Sequence, residues 1–276
     1  MEQKPLYYLT QHPDWANMLI IYHKLRGQGY QCFLAGGCVR DALLGKIAND
    51  LDLASDAAPE VIEQTFSHTV NVGKAFGVIR VLIEQSDIEV TRFRQDGVYG
   101  KDQRRPHQVY FSTAKEDAER RDFTMNALFY DLESNSIIDY VNGIQDINAQ
   151  VIRTVGDPDL RFQEDALRML RAVRFSATLN FAIESVTLNA IQKNKAAIHK
   201  ISKERMIQEL EKMICGKYFT ERFNDFIESG LLMEIFPEFQ IENLQFDFLQ
   251  KMKTSKHHYD LDLYFIYFLQ ATFRHA

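Results

Sequence analysis

Two aspartates separated by one residue, Asp50 and Asp52, are the strongest candidates for chemistry in this 276-residue sequence. On a strand, both would project from one face while Leu51 and Leu53 point into the core. Two carboxylates on one face repel each other unless a divalent cation lies between them, and hard oxygen ligands suit magnesium. Taken alone, the same pattern also fits a solvated strand end.

The residues just upstream favour the metal-binding interpretation. Gly36 and Gly37 let the backbone approach a ligand closely, and the following helix directs its first N–H groups toward an anion. Arg40, in the first turn of that helix, has the charge to bind a triphosphate. A strand, a glycine pair and a helix ahead of two aspartates therefore predict a site for a metal-bound phosphate ligand.

The elements that must position these residues follow from hydrophobic periodicity and from glycines. The predicted elements of the first half are helices at 14–29 and 38–44 and strands at 31–35, 49–54, 78–84, 87–94, 126–132 and 136–141. From about residue 160 the periodicity is helical throughout, over 161–179, 185–200, 202–216 and 217–232. We therefore predict an α+β fold: a small mixed sheet with helices in residues 1–150, then an all-helical domain in residues 151–276.

Composition restricts the class of protein. The chain is 46% hydrophobic and 25% charged with a net charge of −6, which is typical of a globular protein and argues against a uniformly basic nucleic-acid binder. Residues 193–217 nevertheless hold seven Lys/Arg against three Glu, which is either a local basic surface for phosphates or a solvated helix face.

No apolar run is long enough to cross a membrane, and the N-terminus has no cleavable signal pattern. Three cysteines without paired spacing lead us to expect a cytoplasmic protein.

The segment 34–55 resembles motif A of the class II tRNA nucleotidyltransferases, the CCA-adding enzymes, and of the similar bacterial poly(A) polymerases. Both groups belong to the DNA polymerase beta superfamily. Four further segments resemble motifs B to E in the expected order: RRDFTMNAL at 120–128, DYVNGIQDI at 139–147, EDALR at 164–168 and RAVRF at 171–175. The resemblance runs from about residue 33 to residue 240, and five ordered motifs make it specific.

This resemblance implies a nucleotidyltransferase head of the polymerase beta type, followed by a helical neck and partial body. Asp50 and Asp52 would hold two magnesium ions, one activating an RNA 3′-hydroxyl and one binding the triphosphate. Glu89, in the middle of a predicted strand, is the candidate third catalytic carboxylate, although a hydrogen-bonded structural role fits it nearly as well. The implied nucleotide-binding residues are Gly36, Gly37, Arg40, Arg121, Asp122, Asn126, Asp165, Arg168, Arg171 and Arg174.

Motif D addresses the choice of nucleotide. Asp165 and Arg168 lie three residues apart on a predicted helix and would share a face. A carboxylate that accepts from an amino group, beside a guanidinium that donates to a ring nitrogen, fits the base edges of both CTP and ATP. It mispairs with UTP and GTP, whose edges present the opposite groups. An intrahelical salt bridge from Glu164 to Arg168 is equally well placed.

The implied function is the addition of CCA to tRNA 3′ ends from CTP and ATP. A poly(A) polymerase, or a partial enzyme adding only CC or only A, is the alternative, and a catalytically silent RNA-binding module is a remote one.

The predicted loop at 95–108 carries Lys101, Arg104 and Arg105 and resembles a loop that assists the switch from C to A addition. Gly143 resembles the family's hinge or is a simple turn glycine, and the apolar residues 259–269 are expected to be buried.

Overall fold

The computed structural model describes residues 5–96 and 109–237. Lys101, Arg104 and Arg105 of the predicted loop and the apolar stretch 259–269 lie outside the described residues. The described chain divides into two compact units. The first unit holds the residues up to 149 together with 153–156, and the second holds residues 150–152 and those from 157 onward.

The first unit alternates short helices with strands. Its helices are α1 (Pro5–Thr10), α2 (Trp15–Gly27), α3 (Gly37–Leu43), α4 (Pro59–Thr65), α5 (Ala114–Glu119) and α6 (Gly143–Ala149). Its strands are β1 (Cys32–Ala35), β2 (Leu53–Ser55), β3 (Thr69–Gly73), β4 (Val78–Ile83), β5 (Ser86–Arg92), β6 (Arg94–Asp96), β7 (Val109–Phe111), β8 (Leu128–Asp131) and β9 (Ser136–Asp139). Most of the predicted elements are present within two or three residues at each end.

Seven of these strands form one sheet in the order β3-β4-β5-β2-β1-β8-β9. Neighbouring strands are antiparallel except β2 and β5, which are parallel. The predicted mixed sheet is therefore confirmed. A separate short ladder joins β6 to β7.

Aromatic residues from distant parts of the chain fill the core of this unit. Phe33, Phe93 and Phe129 are buried, with ring centroids about 6 Å apart in each pair. Helix α2 buries Met18, Ile21, Tyr22 and Leu25, the i, i+3, i+4, i+7 spacing of an amphipathic helix. Strand β1 lies inside the sheet between β2 and β8, and the glycine pair follows it.

The second unit is mainly helical. Its helices are α7 (Pro158–Glu164), α8 (Leu167–Leu179), α9 (Ser185–Asn194), α10 (Lys203–Ile214), α11 (Phe219–Glu228) and α12 (Leu231–Ile235). The expectation of an all-helical unit is wrong in one detail, because β10 (Val151–Ile152) and β11 (Ala182–Ile183) form a short parallel ladder. None of the helices in the described part of the chain is long and apolar enough to span a membrane.

The single helix predicted over 161–179 is also wrong, because the structure has a break between α7 and α8. Asp165 is extended at the break (φ −145°, ψ 103°), and its Oδ1 accepts from the Leu167 N–H (3.1 Å). A side chain that binds a free N–H of the first turn is an ordinary way to begin a helix. Apolar residues keep their helical spacing across the break, and no glycine or proline marks it.

Candidate active site

Asp50 and Asp52 lie in the extended segment that leads into β2, which begins at Leu53 and not at 49 as predicted. The Ala35 N–H donates to the Asp52 carbonyl (3.0 Å), so this segment already runs beside β1. Leu51 and Leu53 are 3% and 1% exposed, whereas Asp50 is exposed and Asp52 partly buried. The predicted alternation is therefore present, although the regular strand is shorter.

Glu89 reaches the same place through β5. Leu53 pairs with Val90 in the parallel ladder, so Asp52 and Glu89, each one residue earlier, lie side by side. The Thr91 hydroxyl, two residues further along the same face of β5, donates to Glu89 Oε1 (3.2 Å). The sheet thus brings Glu89 to the aspartate pair, from a strand 37 positions away in the sequence.

The protonation of Asp52 reflects this crowding. Burial, together with repulsion from Glu89 and Asp50, raises the pKa of Asp52 to about 6, and the positive charge of Arg121 only partly opposes the rise. The charged form of Asp52 is therefore less favourable in the folded protein than in a solvent-exposed aspartate. A bound cation would stabilise it.

The donor set suits a hard divalent cation that keeps open coordination positions. Within residues 5–96 and 109–237, no three Asp, Glu, His or Cys side chains converge closely enough to enclose a metal ion. Magnesium characteristically takes one or two carboxylates and fills its other positions with water and phosphate oxygens. Asp50 and Asp52 fit that pattern, and their assignment as metal ligands remains a prediction.

Gly36 allows a close backbone approach beside this pair. Its φ is +71°, in the left-handed region, and its N–H donates to the Leu128 carbonyl (2.9 Å). A Cβ atom at this position would lie 2.8 Å from Arg121 Nη1 and 3.4 Å from the Asn126 carbonyl oxygen. Gly37 follows as the first residue of α3. The left-handed φ therefore explains the glycine at position 36, and its nucleotide-binding role remains a prediction.

Arg40 on α3 is linked to motif B. Its Nη1 donates to Asn126 Oδ1 (2.6 Å), and its Nε donates to Asp41 Oδ1 (2.8 Å). Asn126 Nδ2 in turn donates to Asp122 Oδ1 (3.3 Å). Three predicted nucleotide-binding residues, Arg40, Asn126 and Asp122, therefore form one hydrogen-bonded chain. Arg40 is mostly buried, so direct binding of a triphosphate by this side chain remains a prediction.

Arg121 is held by a residue that the sequence patterns did not reveal. Its Nε and Nη2 donate to Asp117 Oδ2 (3.1 and 3.0 Å), and its Nη1 donates to the Asn126 carbonyl (3.2 Å). Asp117 is 1% exposed. The signal that could have revealed it is the spacing of Asp117 three and four residues before Arg120 and Arg121, which is the spacing of ion pairs at the end of a helix.

Gly143 lies at the start of α6, where a Cβ atom would be 2.2 Å from the Thr124 carbonyl oxygen. Asp139 accepts from the Gly143 and Ile144 N–H groups (both 3.0 Å) and so fixes the start of this helix. Close packing against motif B therefore accounts for the glycine. The predicted hinge role is a separate matter and remains a prediction.

In the second unit, Asp165 and Arg168 do not lie on one helix as predicted. Asp165 is in the break, and Arg168 is in the first turn of α8. Asp165 Oδ2 accepts from Arg205 Nη2 on α10 (2.8 Å), a pair that the sequence did not suggest. Arg168 Nη1 donates to Glu164 Oε2 (2.6 Å), so the Glu164–Arg168 salt bridge is present. Each half of the predicted base-reading pair therefore has its own oppositely charged partner.

Arg171 and Arg174 both face Glu209 of α10. Arg174 Nε lies 2.6 Å from Glu209 Oε2, and Arg171 Nη1 lies 3.6 Å from Glu209 Oε1. The Arg174 guanidinium also lies over the Phe175 ring at 3.7 Å. Glu209 is 5% exposed, so a buried carboxylate fixes both arginines between α8 and α10. Their predicted nucleotide-binding role is not tested by these contacts.

Comparison with known proteins agrees with these motifs. Residues 32–153 match the family described as the poly A polymerase head domain, and residues 180–242 match the probable RNA and SrmB-binding site of polymerase A. A CCA-adding enzyme of Bacillus pumilus is 45% identical over 235 residues, which are 85% of this chain and 58% of the relative. A CCA-adding enzyme of Enterococcus faecalis is 47% identical over 197 residues, which are 71% of this chain and 48% of the relative.

Solved structures give the same result. The CCA-adding enzyme of Bacillus stearothermophilus in complex with CTP is 40% identical, with a TM-score of 0.73 over 79% of this chain and 53% of that one. A tRNA nucleotidyltransferase complexed with a primer tRNA and an incoming ATP analog is 26% identical, with a TM-score of 0.69 over 84% of this chain and 66% of that one. The chain spans about half to three-fifths of the length of these two curated relatives from Bacillus pumilus and Enterococcus faecalis.

These matches, together with the mixed sheet, define the class as a nucleotidyltransferase fold. The chain belongs to the family of CCA-adding enzymes and bacterial poly(A) polymerases. Members of this family depend on a divalent metal ion.

Proposed function

We propose that this protein is a template-independent RNA nucleotidyltransferase that adds C, C and A to the 3′ end of tRNA from CTP and ATP. The observation that carries the proposal is the placement of Glu89 beside Asp52, next to the left-handed turn at Gly36. The names of the relatives, and the CTP, ATP analog and tRNA in complex with the solved ones, support the substrates. Three unpaired cysteines support a cytoplasmic location.

The proposed reaction is attack of the RNA 3′-hydroxyl oxygen on the α-phosphorus. The new P–O bond forms as the hydroxyl loses its proton to solvent water and the bond from the α-phosphorus to the β-phosphate oxygen breaks, and pyrophosphate leaves with that electron pair. Asp50 and Asp52 would hold two magnesium ions. Bound there, the ions would balance the negative charge of the triphosphate and make the attacking hydroxyl easier to deprotonate. Glu89, on the neighbouring strand, adds negative charge that strengthens cation binding at Asp52.

We propose that Asp165 and Arg168 read the base. The Asp165 carboxylate can accept further hydrogen bonds and would accept one from the amino group of C or A, and Arg168 would donate to the ring nitrogen. Arg205 orients Asp165, and Glu164 orients Arg168, each through a charge-assisted contact in the present structure. Because UTP and GTP present a carbonyl and an N–H at these positions, each would leave a polar group unpaired and be rejected.

A second candidate is poly(A) addition, since one matched family is described as the poly A polymerase head domain. The two functions use the same chemistry and differ in the length and base composition of the product. Both require the same carboxylates, so variants at Asp50 or Asp52 do not separate them.

The test offers the purified protein three tRNA transcripts, lacking all three terminal nucleotides, lacking only the final A, or complete. Each is incubated with magnesium and one labelled nucleotide at a time, and the products are sized on a gel. We expect C on the first transcript, a single A on the second and nothing on the third. A long A tail on unstructured RNA would favour poly(A) addition, and no incorporation on any transcript would indicate an RNA-binding module.

A further inference from the structure

Asp117 on α5 is an almost fully buried carboxylate that binds two arginines at once. Oδ1 accepts from Arg120 Nε and Nη2 (2.9 and 2.6 Å) and from the Arg94 N–H (3.3 Å). Oδ2 accepts from Arg121 Nε and Nη2 (3.1 and 3.0 Å). Burial alone would raise the pKa of Asp117, but the two guanidinium groups outweigh it and hold that pKa below its ordinary value.

Arg121 lies within reach of the catalytic segment. Its Nη1 occupies the space beside Gly36, where a Cβ atom would be only 2.8 Å away. Gly36 directly follows Ala35, whose N–H binds the Asp52 carbonyl (3.0 Å). The Arg121 guanidinium also lies over the buried Phe129 ring, 5.0 Å from its centroid. The Arg121 guanidinium therefore lies beside Gly36, one residue from Ala35, which pairs with the backbone of Asp52.

Two carboxylates, those of Asp117 and Asp52, are candidate partners for the Arg121 guanidinium. The Nε and Nη2 edge of a guanidinium is the edge that matches a carboxylate, and in Arg121 this edge is taken by Asp117 Oδ2. The charge of Arg121 already acts on Asp52, so Asp52 would be the alternative carboxylate partner if that edge were released. An Arg121–Asp52 ion pair would fill the place of a metal ion.

We propose that Asp117 is a positioning residue that keeps Arg121 turned away from Asp50 and Asp52, so that the two aspartates remain open to a divalent cation. The inference rests on the proposed function, because it takes these aspartates as the metal ligands. Arg121 then contributes its positive charge to the site without forming an ion pair with Asp50 or Asp52. The two oxygens of Asp117 have different partners, since Oδ2 binds Arg121 whereas Oδ1 binds Arg120 and the first N–H of β6.

This separation of partners provides a matched pair of variants. Asp117→Asn keeps the size of the side chain and removes the charge that holds Arg121. Arg120→Met removes the side-chain partner of Oδ1 and leaves the Arg94 N–H on Oδ1 and the Oδ2 contacts to Arg121 in place. The readout is Mn²⁺ binding to the nucleotide-free protein, measured by the loss of the free Mn²⁺ electron paramagnetic resonance signal.

We expect Asp117→Asn to weaken Mn²⁺ binding about tenfold, the scale of one charge-assisted hydrogen bond. Arg120→Met should stay within about twofold of wild type, because the contacts it removes, to Asp117 Oδ1 and to the Arg94 carbonyl, do not hold Arg121. Adding Arg121→Gln to Asp117→Asn should restore Mn²⁺ affinity, since the competing cation is gone. A folded Asp117→Asn protein with unchanged Mn²⁺ affinity, or a double variant without recovery, would overturn the inference.

A second comparison decides the matter if Asp117→Asn does not fold. Lysine at position 121 keeps the charge but cannot bind Asp117 with two donors in a fixed fork. Arg121→Lys should therefore bind Mn²⁺ more weakly than Arg121→Gln, and equal affinities would refute the role assigned to Asp117. Nucleotide incorporation by the wild-type protein is measured in parallel. If the variants show the expected Mn²⁺ affinities but the wild-type protein incorporates no nucleotide, only the proposed function is refuted. If the wild-type protein incorporates nucleotides but the variants do not differ in Mn²⁺ affinity as expected, only this inference is refuted.

Discussion

Replacing Asp52 with asparagine is expected to stabilise the metal-free protein while abolishing nucleotide incorporation. Asp52 is partly buried between Leu51 and Leu53 and lies beside Glu89. Asparagine has nearly the same shape and carries no charge. The change therefore removes an unfavourable charge from the folded state without opening a cavity.

The size of the effect follows from the pKa. Burial and repulsion from Glu89 and Asp50 raise the pKa of Asp52 from 3.8 to about 6, so the folded protein favours the neutral form more than the unfolded chain does. The stability that this side chain contributes is complete below the unfolded value and is lost as pH rises through the folded value. A rise of roughly 2 pH units corresponds to about 3 kcal/mol lost by neutral pH. At pH 4.5 the same calculation leaves a loss of only about 1 kcal/mol.

Urea unfolding in EDTA at pH 4.5 and 7.5 measures this difference. Asp52→Asn should exceed wild type by about 3 kcal/mol at pH 7.5 and by about 1 kcal/mol at pH 4.5. Saturating magnesium should narrow the gap, because the cation stabilises only the protein that binds it. The control is Asp87→Asn, which loses an exposed pair with Arg80 and should change the unfolding free energy by less than about 1 kcal/mol. An Asp52→Asn difference that is equal at both pH values would refute the reasoning.

Three other variants test separate parts of the structure. Gly36→Ala introduces a Cβ at a φ of +71°, 2.8 Å from Arg121 Nη1, and should cost about 2 kcal/mol in urea unfolding; wild-type stability would contradict the described turn. Arg205→Met releases Asp165 from its 2.8 Å contact and should reduce the CTP-over-UTP ratio of kcat/KM about tenfold, whereas an unchanged ratio would show that Arg205 does not orient Asp165. Glu209→Ala removes a buried carboxylate and should lower the unfolding free energy by about 3 kcal/mol, and an unchanged Tm would argue against the buried ion pair.

The sequence predicts local features of the head well, because those features depend on neighbours in the chain. The alternation of Asp50 and Asp52 with buried leucines and the turn at Gly36 are both present in the structure. The parallel pairing of β2 with β5 joins strands separated by β3 and β4, and no local pattern encodes it. Without that pairing, only the residue type of Glu89, its place in the middle of a predicted strand and the family resemblance suggested a position beside Asp52.

The second unit was harder to predict where side chains compete for partners. Helical spacing continues from α7 into α8, so periodicity alone could not locate the break at Asp165. The partners Arg205 and Glu209 come from α10, some 40 residues beyond the residues that they bind. Such pairs depend on how helices pack, which a single sequence does not specify.

The origin of the phosphate that is transferred tests the central claim most directly. Wild-type protein and Asp52→Asn are incubated with magnesium, a tRNA transcript lacking its last three nucleotides, and CTP labelled at either the α- or the γ-phosphate. Nucleotidyl transfer predicts that wild type moves the α label into RNA and releases the γ label as pyrophosphate, with no incorporation by Asp52→Asn. Transfer of the γ label to RNA, or full α incorporation by Asp52→Asn, would contradict the account.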